Sequence, residues 1–345
     1  PLQNHPQERN RAWATPPPKE GIRIPAPVLQ NFIADLFQKA GTTQSDADLL
    51  ADLLVATDLR GVHSHGTHQT PGYTRMMRDG RVNPRPNIKV ASETTTARVY
   101  DGDGGMGHFP CHTAMKWVAA TALEYGTAAA TTRNHFHFGS AGKYTRMAAA
   151  RGCIGIAVSS HRYDLPPEAL VKNVNATSPI SIGFPNGEQP PLVLDMGAQM
   201  LPWDEAIYEQ MPFAFFKELG IGAINRALGG VLAGIYLPQF IPPQSPWESN
   251  QGAFLAAFDV RAFMPLEEFQ AQMDAFVAAA RNMQPFPGTD HAELPGNLEW
   301  QRERDYIRDG LPIEPGHQQA LSDLGAELGV ESPFAQYEHQ RFGAE

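Results

Sequence analysis

Five of the twelve histidines sit in two short stretches. Residues 61–70 read GVHSHGTHQT and place His63, His65 and His68 within six positions, while residues 134–139 read NHFHFG and add His135 and His137. Imidazole changes charge closest to neutral pH, so histidines grouped in loops are suited to passing a proton to or from a reacting oxygen or nitrogen. One histidine alone is more often a solvated or hydrogen-bonded side chain; two groups in one chain favour a site. The spacing H-x-H-x-x-H with H-x-H also offers nitrogen ligands for zinc, iron or copper. On an extended loop, however, the members of an H-x-H pair point to opposite sides, so one of each faces a common site and no metal is expected. The glycines of residues 102–107, GDGGMG, have the spacing of a dinucleotide loop. Asp101 and Asp103 would set carboxylates beside its phosphates, so the stretch reads as a tight turn before a helix. No G-x-S-x-G elbow and no phosphate-loop lysine pattern occurs.

The elements that must position these loops follow from periodicity. Val28, Phe32, Ile33, Leu36 and Phe37 recur at helical spacing and predict a helix from Ala26 to Lys39, with Gly41 beyond its end. A second helix, capped by Ser45 and carrying Leu49, Leu50, Leu53 and Leu54 on one face, runs through Leu59 and stops at Gly61, delivering the first histidine loop. ARVYD, TAAATT, CIGIAVSS, LVLD and GAFLAAFDV read as strands, and helices are predicted up to Tyr125, up to Gly152, over 265–281 and over 317–328. Strand, loop, helix, strand is the grammar of an α/β protein.

The chain has 345 residues, about two domains' worth, and a formal charge of −10, the wrong sign for a nucleic-acid partner. Cys111 and Cys153 are too few for a disulfide framework and suit a reducing, cytoplasmic compartment. The longest apolar stretch, residues 219–237, is broken by Asn225, Arg226 and five glycines, so no membrane span is expected. The first residues, with a Pro-Pro-Pro run, read as a flexible tail rather than a signal peptide.

From RGVHSHGTHQTPGYTRMMRDGRVNPRP onward, the pieces DGDGGMGH, NHFHFGSAGKY, GCIGIAV, ATSPISIGFP, LVLDMG, ELPGNLEW and DGLPI follow in an order that resembles the malate/L-lactate dehydrogenase family with a non-Rossmann fold. That family also holds ureidoglycolate, sulfolactate, diketogulonate and piperideine-carboxylate oxidoreductases. The resemblance implies hydride transfer between NADH or NADPH and a small 2-oxo acid or cyclic imine, in a homodimer. It implies His65 as proton donor with Ser64 beside it, His137 as a second active-site histidine, and Thr177 and position 69 on the substrate, and His68, next to that position, is placed on the substrate as well. Asp195, Met196, Gly197, Lys217, Gly296 and Asn297 fall on its cofactor-lining segments.

The departures concern binding. Where the family has an arginine for the substrate carboxylate this chain has Gln69, which cannot form a charged bidentate pair. Arg60, His68 and Arg75 are nearby replacements in sequence. The family's Pro-x-Gly-Gly turn appears as Pro167, Glu168, Ala169, Leu170, its Pro-Gly-Glu ends in Asn297, and a segment after Asp195 is largely absent. Around Lys217 the family's glycines are replaced by Ala214, Phe215 and Glu218, and Glu218 is expected to repel a dinucleotide phosphate.

The sequence thus predicts an α/β fold of the non-Rossmann malate/L-lactate dehydrogenase type. It expects a tail over 1–24, a helical domain from 25–80 with 298–345, and a mixed-sheet domain over 81–297 carrying cofactor and substrate. The predicted function is an NAD(P)-dependent oxidoreductase. The alternative is a cofactor-free or metal-assisted isomerase, lyase or cyclase on the same scaffold.

Overall fold

The computed structural model describes residues 16–175, 178–287, 289 and 291–343. In chain order its elements are β1 (Gly21–Ile24), α1 (Ala26–Lys39), α2 (Gln44–Leu59), α3 (Thr70–Arg78), β2 (Lys89–Glu93), β3 (Ala97–Asp101), α4 (His108–Tyr125), β4 (Thr127–His135), α5 (Gly142–Ala149) and β5 (Cys153–His161). There follow β6 (Pro179–Gly183), β7 (Val193–Gly197), α6 (Glu205–Gln210), α7 (Pro212–Arg226), β8 (Gln251–Asp259), α8 (Leu266–Arg281), α9 (Asn297–Asp309), β9 (Leu311–Ile313), α10 (Pro315–Leu328) and β10 (Arg341–Phe342). Among the described residues no helix is long and apolar enough to cross a membrane.

The chain divides into two compact units, one made of Pro1–Asp79, Asn186–Leu192 and Glu267–Glu345, the other of Gly80–Pro185 and Val193–Leu266. The expected boundary at residue 297 therefore falls earlier, with most of α8 joining the helical unit. Residues 1–15 of the expected tail lie outside the described residues, and its last four form β1.

In the helical unit, β1 lies between β10 and β9 in an antiparallel three-stranded sheet. α1 has the predicted ends and buries Leu29, Phe32, Ile33, Leu36 and Phe37. Phe32 meets Phe334 edge to face, with ring centroids 5.7 Å apart. α2 is capped by Thr43 rather than Ser45: the Thr43 hydroxyl accepts from the Asp46 amide at 3.2 Å, so the helix begins one residue before Ser45.

The sheet unit holds seven strands in the order β2-β3-β4-β8-β5-β6-β7, parallel only between β3 and β4. β4 and β5, the two strands of the predicted strand–helix–strand, do not pair with each other; β8 enters between them, antiparallel to both. This is a mixed α/β sheet and not the parallel sheet of a doubly wound dinucleotide fold, which agrees with GDGGMG serving as a turn. Ala114, Ala119, Ala122, Ala128, Ala130, Ala148, Ala253 and Ala257 are buried in its core, and their small side chains let the helices lie close to the sheet.

Candidate active site

The first histidine loop is not extended. After α2 it winds into two single turns of 3-10 helix, His63–His65 and Thr67–Gln69, so alternation does not decide where its histidines point. The loop is moored to Asp58, a buried carboxylate in the last turn of α2. Asp58 Oδ2 accepts from the Thr67 amide at 2.9 Å and the Thr67 hydroxyl at 2.6 Å, and Oδ1 lies 3.3 Å from His63 Nδ1. Gly66 permits this approach, because a Cβ there would stand 1.8 Å from Asp58 Oδ1. Ser64 Oγ sits 3.0 Å from His65 Nδ1, within hydrogen-bond distance, and fixes the orientation of the ring. Gln69 turns back and donates Nε2 to the Ser64 carbonyl at 2.7 Å.

A partner for this loop comes from far along the chain. Thr67 Oγ1, already donating to Asp58, accepts from His317 Nε2 at 2.8 Å, which fixes the His317 proton on that nitrogen. His317 stacks on His68 with centroids 3.8 Å apart. Burial, reinforced by the neighbouring His68, pushes the His317 pKa down to about 3, and burial lowers that of His68 as well. The 3.8 Å approach of His68 Nε2 to Glu314 is thus a contact of a predominantly neutral ring at neutral pH.

The second histidine group divides by role. His135, at the end of β4, is fully buried between Thr132 Oγ1 at 2.8 Å and the Phe136 carbonyl at 2.7 Å. Burial lowers its pKa to about 4, so it is a neutral core histidine. His137 follows on the loop, half-buried, its ring centroid 6.4 Å from that of buried His108 on α4. The loop is clamped to α5 by Tyr144, whose hydroxyl donates to the Phe138 carbonyl at 2.6 Å while the two rings stack. Asp195 Oδ2 accepts from the Gly142 amide at 2.8 Å, capping α5.

The residues expected at the cofactor are mostly accessible. Asp195 and Gly197 are exposed at β7 with Met196 half-buried between them, and Lys217 is exposed on α7, its ammonium 5.5 Å from the Phe213 ring centroid. Glu218 overturns its expectation. It is fully buried and points inward, taking Asn175 Nδ2 at 2.7 Å and the Leu201 amide at 3.1 Å, with Lys172 Nζ at 3.6 Å. Its charge is spent inside the fold. The same segment walls an apolar cavity of about 220 Å³ with Trp203, Tyr208, Phe215 and Phe216. In the helical unit, Gly296 (φ 95°) precedes α9 with no side-chain cap, and buried Asn297 gives Nδ2 to Glu293 at 3.0 Å, while its Oδ1 has no hydrogen-bond partner among the described residues. Within the sheet unit, an exposed lysine and an apolar slot on the same segment suit the phosphate and a ring of a nicotinamide dinucleotide. Thr177 lies outside the described residues.

The sequence reading missed Asp58, Thr67 and His317, which hold the loop, and Lys172, which faces Glu218. Asp58 left one signal, a carboxylate at an inward position of an otherwise leucine-rich helix face. His317, 250 residues from Thr67, left none. Among the described residues no three histidine, cysteine, aspartate or glutamate side chains are gathered to hold a metal ion.

Residues 24–209 and 204–322 match the malate/L-lactate dehydrogenase family. The chain is 27% identical to malate dehydrogenase of Pyrococcus horikoshii, over 90% of this chain and 96% of that protein. It is 28% identical to L-sulfolactate dehydrogenase of Methanocaldococcus jannaschii, over 87% and 96%. The solved P. horikoshii structure superposes with a TM-score of 0.80, covering 91% of this chain and 97% of that one. With both matched segments together spanning most of its length, the chain belongs to the malate/L-lactate dehydrogenase family.

Proposed function

We propose that the protein is a dehydrogenase or reductase that interconverts a small 2-oxo acid, or a cyclic imine of one, with its reduced form, using NADH or NADPH. The observation that carries this reading is the Ser64–His65 pair on a loop moored to buried Asp58. A nicotinamide cofactor supplies the hydride. His65, as the imidazolium, gives its Nε2 proton to the oxygen or nitrogen of the reduced bond and, left neutral with its proton on Nδ1, takes it back in the oxidative direction, while Ser64 Oγ accepts from Nδ1 and orients the ring. His137 is assigned to orienting the reacting group, and Asp195, Met196, Gly197, Lys217, Gly296 and Asn297 to the dinucleotide. Malate and sulfolactate, named for the relatives, set the size of the first substrates to try.

The inward turn of Glu218 removes one sequence argument for a non-redox enzyme, since a carboxylate held by Asn175 and the Leu201 amide does not face a phosphate. Exposed Phe213, Phe216, Ile224, Val231 and Leu232, on α7 and the turns after it, supply the apolar face a homodimer needs. The two free, buried thiols Cys111 and Cys153 support a reducing, cytoplasmic setting. The test is oxidation of NADH and of NADPH by purified protein offered pyruvate, oxaloacetate, sulfopyruvate and a cyclic imine carboxylate, followed by absorbance. Absence of turnover with all of them, together with no quenching of protein fluorescence by millimolar NADH or NADPH, overturns the reading.

A further inference from the structure

An arginine drawn into a fold is normally spent on carboxylates and carbonyls, as Arg60 is on Glu303 at 2.6 Å and on the Ala56 carbonyl at 2.7 Å. Arg226, the last residue of α7, is not. It is half-buried, and its Nη1 is a buried atom with no hydrogen-bond partner among the described residues. None of their carboxylates lies within ion-pair distance of it either. Acids outnumber bases by 37 to 27 in this chain, so an inward arginine without a carboxylate does not reflect a shortage of them.

Its surroundings are aromatic and lie wholly within the sheet unit. The guanidinium carbon stands 4.3 Å from the centroid of the Tyr163 ring and 5.1 Å from that of Tyr236. Rings hold a cation through their π faces and take none of its N–H hydrogens. The Tyr163 hydroxyl donates to the Val174 carbonyl at 2.6 Å, which fixes that ring. The Tyr236 hydroxyl is a second buried atom with no hydrogen-bond partner among the described residues. Burial raises its pKa, so it keeps its proton at neutral pH. Arg162 straps the backbone beside it, donating Nη1 to the Ile235 carbonyl at 2.6 Å and Nη2 to that of Ser249. The turn from Arg226 to Tyr236 is pressed onto the sheet: a Cβ on Gly229 would stand 2.7 Å from the Ser159 carbonyl carbon, and one on Gly252 would stand 2.6 Å from the Ile235 side chain. His161, its ring 5.1 Å from that of Tyr163, is held below its ordinary pKa by burial and then by the charge of Arg226. Two fixed donors, a guanidinium N–H and a phenol O–H, are thus left on one turn without an acceptor. A planar fork of this kind matches a carboxylate better than a tetrahedral anion.

We propose that Arg226, with the Tyr236 hydroxyl, is a receptor in the sheet unit for the carboxylate of a small organic acid. The carboxylate is that of the acid turned over or that of an acid that is bound and not consumed; the chemistry of the receptor is the same for both, and kinetics separates them.

The test is calorimetric titration of the full chain with oxamate, acetate and inorganic phosphate at millimolar concentration. Wild type is expected to bind both carboxylates more tightly than phosphate. Arg226→Gln should weaken oxamate binding about 10- to 100-fold, and Arg226→Lys, which keeps the charge and loses the fork, by a smaller factor. Tyr236→Phe, which removes one hydroxyl and keeps the ring, should weaken it about 3- to 10-fold. Thermal melting checks each variant, and Tyr236→Phe carries the test should Arg226→Gln not fold. Wild type that binds neither carboxylate, or binds phosphate more tightly, overturns the proposal. So does oxamate affinity within twofold of wild type in the folded variants. Binding needs no turnover, so failure of this proposal and failure of the dehydrogenase reading are seen separately. With a 2-oxo acid that wild type reduces, a KM that rises in step with the loss of oxamate affinity names the substrate as the source of the carboxylate. An unchanged KM beside weakened oxamate binding names an acid that is not consumed.

Discussion

The imidazoles of His68 and His317 lie nearly face to face, ring centroids 3.8 Å apart and planes 30° from parallel. His317, the buried member of the pair, resists protonation and is neutral down to about pH 3 in the folded protein. Its unfolded value is near 6.5, so on acidification the unfolded chain takes up the proton first. The stability that the neutral ring supports is complete above about pH 6.5 and drains away as pH falls toward 3. His135, with a folded pKa of about 4, acts in the same direction. Urea unfolding should show stability falling between pH 7 and pH 5 by on the order of 1.4 kcal/mol per pH unit per histidine at most. His317→Gln, whose amide can replace the donor to Thr67, should flatten that slope; an unchanged slope would remove His317 as its source.

His65→Gln should lower kcat by about 10² to 10⁴ while the variant melts like wild type. Ser64→Ala, which removes only the hydroxyl on Nδ1, should lower kcat by a smaller factor, about 5- to 10-fold, and displace the pH profile of kcat/KM. Equal effects of the two would mean that Ser64 acts on substrate directly.

Gly66→Ala drives a methyl group into Asp58 Oδ1 and should dislodge the whole loop. The expected loss is about 2 kcal/mol or more of stability together with most of the activity. Retention of both would show that Asp58 is not the mooring.

Glu218→Ala leaves the Lys172 ammonium and the Asn175 amide without their buried acceptor and should cost about 3 kcal/mol in urea unfolding. Glu218→Gln separates the two views of this residue. A carboxylate facing the cofactor would, once neutralised, bind NADH or NADPH several-fold more tightly; the inward-facing one predicts affinity within twofold of wild type.

The elements were legible where periodicity is local. α1 has the predicted ends because its apolar stripe and flanking Pro25 and Gly41 are all in one stretch of chain. The strands β3, β4, β5, β7 and β8 were found, but not the short β1, β2, β6, β9 and β10, nor that β8 separates β4 from β5, since pairing order is set by contacts a hundred residues apart. His65 stands out by its place in a histidine group and Ser64 through the family resemblance, whereas the side chains that hold their loop in place do not. Thr67 looks like any loop threonine until Asp58 and His317 close on it from either side. Glu218 was misread because charge alone, without burial, says nothing about which way a carboxylate points.

β1 pairs on one side with β9 and on the other with β10, joining Ile22 to Ile313 and to Arg341. The first described strand made by the ribosome therefore waits for the last two. Until residue 313 has emerged, Ile22 and Ile24 have no strand beside them, and both edges of β1 are open to other chains. A chain that stops before Leu311 loses both neighbours of β1 at once, although every residue of the Ser64–His65 loop is present in it.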